Sequence, residues 1–292
     1  MINGDNKLST IKRLLYFIQC IIDHNKGSHF HLDILNPKLS IKNLEINKLS
    51  PSRLLCDAFW NTIDYKGLSK QLGAKLNIID LGCGNGDYGK FIKKLADKSF
   101  GSYTGLDIYK DKKFPSYFSH IKSKAENTYK FVKKDNNFIM SQSALEHIES
   151  DFDAIKEVTS TLIKNKKPFL QIHMVPAAYS LWLYLWHGWR QYSKKNLSLF
   201  SEKLTKDFPL NISIVPIGGK NTFWSHFNNI TIPYYTNKKI RINGWYTQKG
   251  VARNILKSVL LDLNCNTEKM NTFWAFIISS KSVELKFKSI II

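Results

Sequence analysis

Cysteine is scarce and scattered in this chain. Its four cysteines, Cys20, Cys56, Cys83 and Cys265, lie far apart and form no CxxC pair. That spacing argues against a zinc site and a disulfide framework, and suits a reducing, cytoplasmic setting. Long apolar runs are also missing. Residues 11–22 are apolar enough for a helix but too short and too interrupted to span a bilayer. The first residues, Met1-Ile-Asn-Gly-Asp-Asn-Lys, are polar and do not read as a signal peptide. No internal repeat, low-complexity block or linker is visible. Acidic residues are few: 23 Asp and Glu against 43 Lys and Arg leave a formal charge of +20. Such an excess leaves a nucleic acid or an anionic membrane open as a partner. The lysines are spread along the whole chain, however, and no basic stripe with interleaved aromatics stands out. The charge therefore reads as a compositional bias, and nucleic acid is the disfavoured partner.

What is present suffices for a packed core. The chain has 292 residues, 43 % of them hydrophobic and 13 % aromatic, which suits one large domain or one domain with insertions. Residues 52–72 read as a helical approach segment, with Pro51 before it and Gly73 to close it. From Asn77 onward, short apolar runs (77–81, 103–108, 138–142 and 168–175) alternate with longer amphipathic stretches. This is the rhythm of βα units and a parallel sheet.

The first of these runs carries chemistry. Asn77-Ile-Ile-Asp-Leu-Gly-Cys-Gly-Asn-Gly-Asp-Tyr-Gly reads as strand, tight turn and helix start. Gly82, Gly84 and Gly86 let the backbone turn sharply and leave room for a ligand against the main chain. About twenty residues on, Tyr103-Thr-Gly-Leu-Asp107 ends a second strand with a carboxylate, placed to accept from ribose hydroxyls. The loop spacing is GxGxG, not the GxGxxG of dinucleotide dehydrogenases. Asp80, two residues before the first glycine, would repel a pyrophosphate. It suits a ligand that carries an ammonium and a sulfonium.

These segments resemble the class I S-adenosylmethionine-dependent methyltransferases. Asp80-Leu-Gly-Cys-Gly-Asn-Gly is similar to their first motif, and Gly105-Leu-Asp107-Ile108 to their second. Phe138-Ile-Met-Ser-Gln-Ser-Ala-Leu-Glu-His-Ile resembles the fourth strand and the Leu-Glu-His-Ile segment of small-molecule and sugar methyltransferases. Thr161-Leu-Ile-Lys-Asn-Lys-Lys-Pro-Phe-Leu-Gln-Ile is similar to the run into their fifth strand, with Asn165-Lys-Lys-Pro168 in place of the usual Pro-Gly-Gly. The resemblance covers residues 52–176 and continues more weakly through 190–193, 212–219 and 273–279.

The resemblance implies a doubly wound, mostly parallel α/β sheet of about seven strands. It divides the chain into an N-terminal segment of unassigned role (1–50), a core that binds S-adenosylmethionine (51–176), and a substrate cap with the closing strands (177–292). It implies donor contacts from Asp80, Gly82, Gly84 and Asp107, with Cys83 and Asn85 contributing backbone and Gly86 and Ile108 completing the two motifs. Ala125 and Glu126 fall where the family contacts adenine. Ser141 and Gln142 should face the donor methionine or the pocket mouth. An oxygen or nitrogen acceptor must lose a proton, usually to His, Asp or Glu. His147 is the first candidate base and His173, at the end of strand five, the second, although both also read as structural histidines.

The aromatic stretch 179–192 reads as a lid, as an interfacial patch for peripheral membrane contact, or as core. Trp182, Trp186 and Trp189 share one face if the stretch is helical, with His187 and Arg190 at its edge. The Asn/Asp-Pro-Pro-Tyr/Phe motif of adenine and cytosine amino-methylases is absent, as is the Pro-Cys nucleophile of cytosine C5 enzymes, and no metal-ligand set is visible. The expected activity is O-methylation of a small or glycan-like acceptor of the surface-polysaccharide type. The alternatives are an RNA or protein methyltransferase, or a silent binding module of the same fold.

Overall fold

The computed structural model describes residues 1–44, 50–236, 249–263 and 267–288. Cys265 and residues 237–248 lie outside them. In chain order the elements are α1 (Thr10–Asn25), β1 (Asp33–Ile34), α2 (Pro51–Thr62), α3 (Tyr65–Leu72), β2 (Leu76–Leu81), α4 (Asp87–Ala96), β3 (Phe100–Asp107), β4 (Ser119–Lys122) and β5 (Phe138–Gln142). They continue with α5 (Asp151–Lys164), β6 (Leu170–Pro176), α6 (Leu181–Tyr184), α7 (Lys194–Asp207), β7 (Leu210–Ile217), α8 (Lys220–His226), α9 (Ile232–Thr236), α10 (Lys249–Asp262) and β8 (Phe273–Ser280).

The strands form one sheet in the order β1-β7-β8-β6-β5-β2-β3-β4. All pairings are parallel except those of β8, which runs antiparallel between β6 and β7. The central strands are near-continuous apolar runs because helices cover both faces. Ile78, Phe138 and Ile172 pack on one face with α2, α3, α4 and α10 residues such as Leu54, Leu68, Ile92 and Val259. Ile79 and Ile139 pack on the other with Ile155 and Val158 of α5 and Leu197 and Leu204 of α7. The strand order reverses between β2 and β5, and the crevice at their carboxyl ends is where doubly wound sheets hold ligands.

The doubly wound, mostly parallel α/β sheet expected from the sequence is present, with differences. Among the described residues there are eight strands, against about seven expected, because the N-terminal segment supplies the two-residue β1 at the edge beside β7. The short strand β4 has the polar, largely solvent-facing sequence Ser-His-Ile-Lys and carries no apolar run to reveal it. The single helix expected over 52–72 is two. Ile63 is extended, and Asp64 caps the new helix by accepting from the Gly67 amide at 2.9 Å. Gly73 closes α3 in the left-handed conformation. The stretch 179–192 is not one helix either. Helix α6 stops at Tyr184, and Leu185 and Gly188 have positive φ, so the three tryptophans do not share a helical face. Arg190 pairs with the buried Asp151 at 3.4 Å.

The first helix docks on that aromatic stretch. Tyr16, Cys20 and Leu181 form a small core with Phe17 and Trp186, and the Tyr16 hydroxyl donates to the His187 carbonyl at 2.7 Å. Tyr179 and Trp182 remain exposed, as do Ile11, Leu14 and Ile18 of α1. Among the described residues, no helix is long and apolar enough to cross a membrane.

Candidate functional site

The loop after β2 follows from its glycines. Gly82, Gly84 and Gly86 all have positive φ (71°, 51° and 74°), a region that L side chains rarely adopt. The amides of Gly82 and Cys83 donate to the Leu106 carbonyl at 2.8 and 3.2 Å, fastening the loop to the end of β3. The Gly84 amide donates to Asp107 Oδ2 at 2.9 Å, so the ribose-binding candidate also ties the loop down. A β-carbon on Gly84 would meet no protein atom within 4 Å, because that side of the loop is open. Gly86 starts α4, whose first turn is organised by the Asn85 and Asp87 side chains, 2.6 Å apart.

Two cavities meet at Gly82. One, of about 440 Å³, is lined by Leu106, Asp107, Ile108, Lys124, Ala125, Glu126, Ala144, His147 and Ile148. It joins the end of β3 to the turn at 125–131 and to the segment after β5. The other, of about 760 Å³, is lined by Asp80, Cys83, Gly84, Asn85 and Gln142, together with Arg53 and Asp57 from α2 and Tyr88 from α4. Ten of the twelve residues expected to hold a donor, all but Gly86 and Ser141, therefore line the two chambers.

The second chamber contains two buried polar atoms without partners. Tyr103 Oη donates to Asp80 Oδ2 at 2.5 Å, while Asp80 Oδ1 has none. Burial, opposed by the Tyr103 bond, pushes the Asp80 carboxyl up to about 7. Gln142 accepts from Trp60 Nε1 at 2.7 Å, and its own Nε2 is left bare. Arg53 lies over the Tyr88 ring and donates to its hydroxyl at 3.3 Å, and Tyr88 in turn donates to Asp57 at 2.6 Å. Asp80, Gln142 and Arg53 thus bring a carboxylate, an amide and a guanidinium to the chamber wall. That set complements an amino acid's ammonium and carboxylate. Arg53, Asp57 and Tyr88 were not anticipated from the sequence: Arg53 and Asp57 sit on a helical segment with no motif around them, and Tyr88, although it directly follows the glycine loop, carries no signal of its own.

Two expectations need correction. The Ser141 side chain does not face the chamber: it is fully buried, and its hydroxyl bonds His173 Nδ1 at 2.9 Å. His173 lines neither chamber. It is fully buried between the sheet and its helices, and burial pushes it down to about 3, so it is a neutral core histidine and not a base.

His147 does stand at the rim of the first chamber, in company. Its Nδ1 lies 2.6 Å from Asp5 Oδ2. His187 Nδ1 lies 3.3 Å from Asp5 Oδ1. The Nε2 atoms of the two histidines lie 3.9 and 4.0 Å from Glu146 Oε1. Burial favours protonation of Asp5, but the bonds from His147 and His187 outweigh it and hold the carboxyl well below the usual range. For His147, burial is outweighed in the same way by the Asp5 bond and by Glu146, and its pKa rises. Gly188 makes the meeting possible. Its φ is +65°, and a β-carbon there would sit 2.4 Å from the Glu146 carbonyl. Ligand-type atoms of Glu146, His147 and His187, which the sequence did not suggest as a set, lie within 4.8 Å of one another. No spacing pattern reveals them, because the cluster joins three distant segments.

A third cavity, of about 560 Å³, opens on the far side of this cluster. Asp5, Lys7, Arg13, Tyr184, Trp186, His187, His226, Tyr234 and Tyr235 line it.

No protein-family profile matches the chain, and no curated protein sequence does. Solved structures similar to it include the plantazolicin methyltransferase BamL, in complex with a triazolic desmethylPZN analog and S-adenosylhomocysteine. That match has 14 % identity over 78 % of this chain and 85 % of that one, with a TM-score of 0.47. A SAM-dependent methyltransferase from Archaeoglobus fulgidus matches at 18 % identity over 78 % and 94 %, with a TM-score of 0.45. The small RNA methyltransferase HEN1 matches at 12 % over 76 % of this chain and 25 % of that one, with a TM-score of 0.40. TM-scores below 0.5 leave the argument to this chain's own sheet order and site.

Proposed function

We propose that the protein is an S-adenosylmethionine-dependent methyltransferase. One observation carries the reading: Asp107 and the glycine loop close one chamber, and Asp80, with a bare buried oxygen, lines the adjoining one. The adenosine half of the donor fits the first chamber, with Asp107 on the ribose and Ala125–Glu126 beside the base. The methionine half fits the second, with its ammonium on Asp80 and its carboxylate toward Gln142 and Arg53. The methyl group then faces the segment 143–148 and the Glu146–His147–His187 cluster. Methyl transfer is a displacement at carbon, so aligning acceptor, methyl and sulfur supplies much of the rate.

The acceptor is an oxygen nucleophile on a small or glycan-like molecule. The third cavity supports that class, since its wall mixes the aromatic Trp186, Tyr234 and Tyr235 with the polar and charged Asp5, Asn6, Lys7 and Arg13, a lining that suits a polar, hydroxyl-bearing molecule. In this reading residues 51–176 bind the donor, and the segments at 1–8 and 181–235 enclose the acceptor.

Calorimetry with S-adenosylhomocysteine and with NAD tests the donor. Saturable heat with the first and little with the second is expected, and the reverse preference overturns the reading. The formal charge of +20 motivates one other acceptor, RNA. Tight, structure-selective RNA binding that survives physiological salt would favour it, because nonspecific phosphate contacts weaken steeply with salt.

A further inference from the structure

We infer that Glu146, His147 and His187 form a binding site for a divalent first-row transition metal ion, located between the donor chamber and the acceptor cavity. Two imidazoles and a carboxylate are a donor set suited to Zn²⁺, Co²⁺ or Mn²⁺ and poorly suited to Mg²⁺ or Ca²⁺, which prefer all-oxygen shells. Three features of the structure support the assignment independently.

The first is tautomer control. Asp5 presents one oxygen to His147 Nδ1 at 2.6 Å and the other to His187 Nδ1 at 3.3 Å. Each Nδ1 must then carry the proton, and each Nε2 turns a lone pair toward Glu146. A carboxylate behind a histidine is how proteins orient a metal-binding ring. Here one carboxylate orients both, and the Gly188 amide holds it at 2.9 Å.

The second is the buried carboxylate. The Glu146 side chain is 1 % exposed, and its Oε2 has no hydrogen-bond partner. No lysine or arginine pairs with it among the described residues. A buried carboxylate without a cationic partner is costly, and a cation held by Oε1 and the two rings would offset its charge.

The third is geometry. The three ligand atoms lie within 4.8 Å of one another, with Nε2–Oε1 distances of 3.9 and 4.0 Å. Metal–ligand bonds of about 2.0–2.2 Å place tetrahedral neighbours about 3.3–3.5 Å apart. A modest closure of the rings, both about one-third exposed, is enough. Three protein ligands leave at least one position open, as in catalytic sites.

Resting on the methyl-transfer reading, the open position takes the acceptor oxygen. A hydroxyl bound there acidifies and releases its proton to solvent. The oxygen then forms its bond to the donor methyl, and the carbon–sulfur bond breaks with its electron pair left on sulfur as the thioether. His147 becomes a ligand instead of the base, and Asp5 a positioning residue.

The test uses the full chain, stripped with a chelator and titrated with Co²⁺, whose visible absorption reports the ligand set. We expect one Co²⁺ per chain, displaced by Zn²⁺. Metal affinity should fall by at least about tenfold in His187→Ala and in Glu146→Gln, and by roughly 10–100-fold with an altered spectrum in Asp5→Asn. S-adenosylhomocysteine affinity in His187→Ala should stay near wild type, which shows that the variant is folded. No binding of Co²⁺, Zn²⁺ or Mn²⁺ in excess, or binding unchanged in folded His187→Ala, overturns the proposal. Metal binding without S-adenosylhomocysteine binding leaves the site standing and overturns the donor reading; the converse overturns the site alone.

Discussion

Tyr103 donates to one oxygen of Asp80 at 2.5 Å and leaves the other buried and bare. Burial holds this carboxyl at about 7, against an ordinary value of 3.8, with the Tyr103 bond opposing the rise and neighbouring Asp107 adding to it. Between those values the unfolded chain has lost the proton and the folded one keeps it, so stability falls as pH rises and levels off above 7. The cost is on the order of 4 kcal/mol. Asp80→Asn keeps the Tyr103 contact and removes that cost. It should be more stable than wild type to urea at pH 8, with the difference shrinking toward pH 4. Donor binding should run the other way. An ammonium needs the ionised carboxylate, so wild-type affinity for S-adenosylhomocysteine should weaken by up to about tenfold per pH unit below 7. Asp57, held near 6 in the same chamber, adds a second inflection that persists in Asp80→Asn. A flat wild-type profile from pH 6 to 8 refutes the ammonium role.

Asp107 accepts from the Gly84 amide, and in the proposed pose it also binds the ribose. Replacing it with Ala should cost on the order of 1.5–3 kcal/mol of donor binding, roughly tenfold or more in affinity. The melting temperature should fall modestly, because the amides of Gly84 and Tyr109 lose their acceptor. Gly84→Val should do worse. The φ of +51° penalises any side chain, and the added carbons would point into ligand space. An unchanged dissociation constant for Asp107→Ala would assign this residue to the loop alone.

In the proposed pose Arg53 touches only the amino-acid half of the donor. It lines the second chamber but not the first. Arg53→Met preserves much of the contact with the Tyr88 ring and removes the charge. Affinity for S-adenosylhomocysteine should fall by roughly tenfold, a charge-assisted hydrogen bond's worth. Affinity for adenosine, which carries no carboxylate, should not change. Equal losses for both ligands would mean that Arg53 shapes the chamber without touching the amino acid.

The donor loop was legible from the sequence because its requirements are local. Positive φ demands glycine at three nearby positions, and the strand before it must be apolar to be buried on both faces. Gln142 lines the chamber because it ends β5. Ser141, one residue earlier, points to the opposite face by strand alternation, and there it meets His173. Parity alone could have separated the two. The Asp5–His147–His187–Glu146 cluster was illegible for the opposite reason. Asp5 and Gly188 are 183 residues apart, and no periodicity links a polar N-terminal segment to a turn after β6. Arg53 is similar: one charge on an ordinary amphipathic helix acquires meaning only when α2 is seen against the loop.

His173 gives the last prediction, and it concerns stability, not turnover. Its ring is fully buried, with Nδ1 on the Ser141 hydroxyl at 2.9 Å and Nε2 3.4 Å from Gln171 Oε1. Burial lowers it from 6.5 to about 3. Below pH 6.5 the unfolded chain binds a proton that the folded one refuses, so stability declines as pH falls, by up to about 1.4 kcal/mol per unit until the folded value is reached. His226, lowered to about 4 by the same burial, acts in the same direction, so wild type retains part of the slope when His173 is removed. In His173→Phe the Ser141 hydroxyl loses its partner, at a cost of roughly 1–3 kcal/mol at pH 8. The deficit relative to wild type should then shrink as the pH drops toward 4, because the variant has one proton fewer to take up. Urea denaturation at several pH values measures this directly. Donor affinity should match wild type throughout. A variant with wild-type stability but depressed turnover would return His173 to the list of candidate bases.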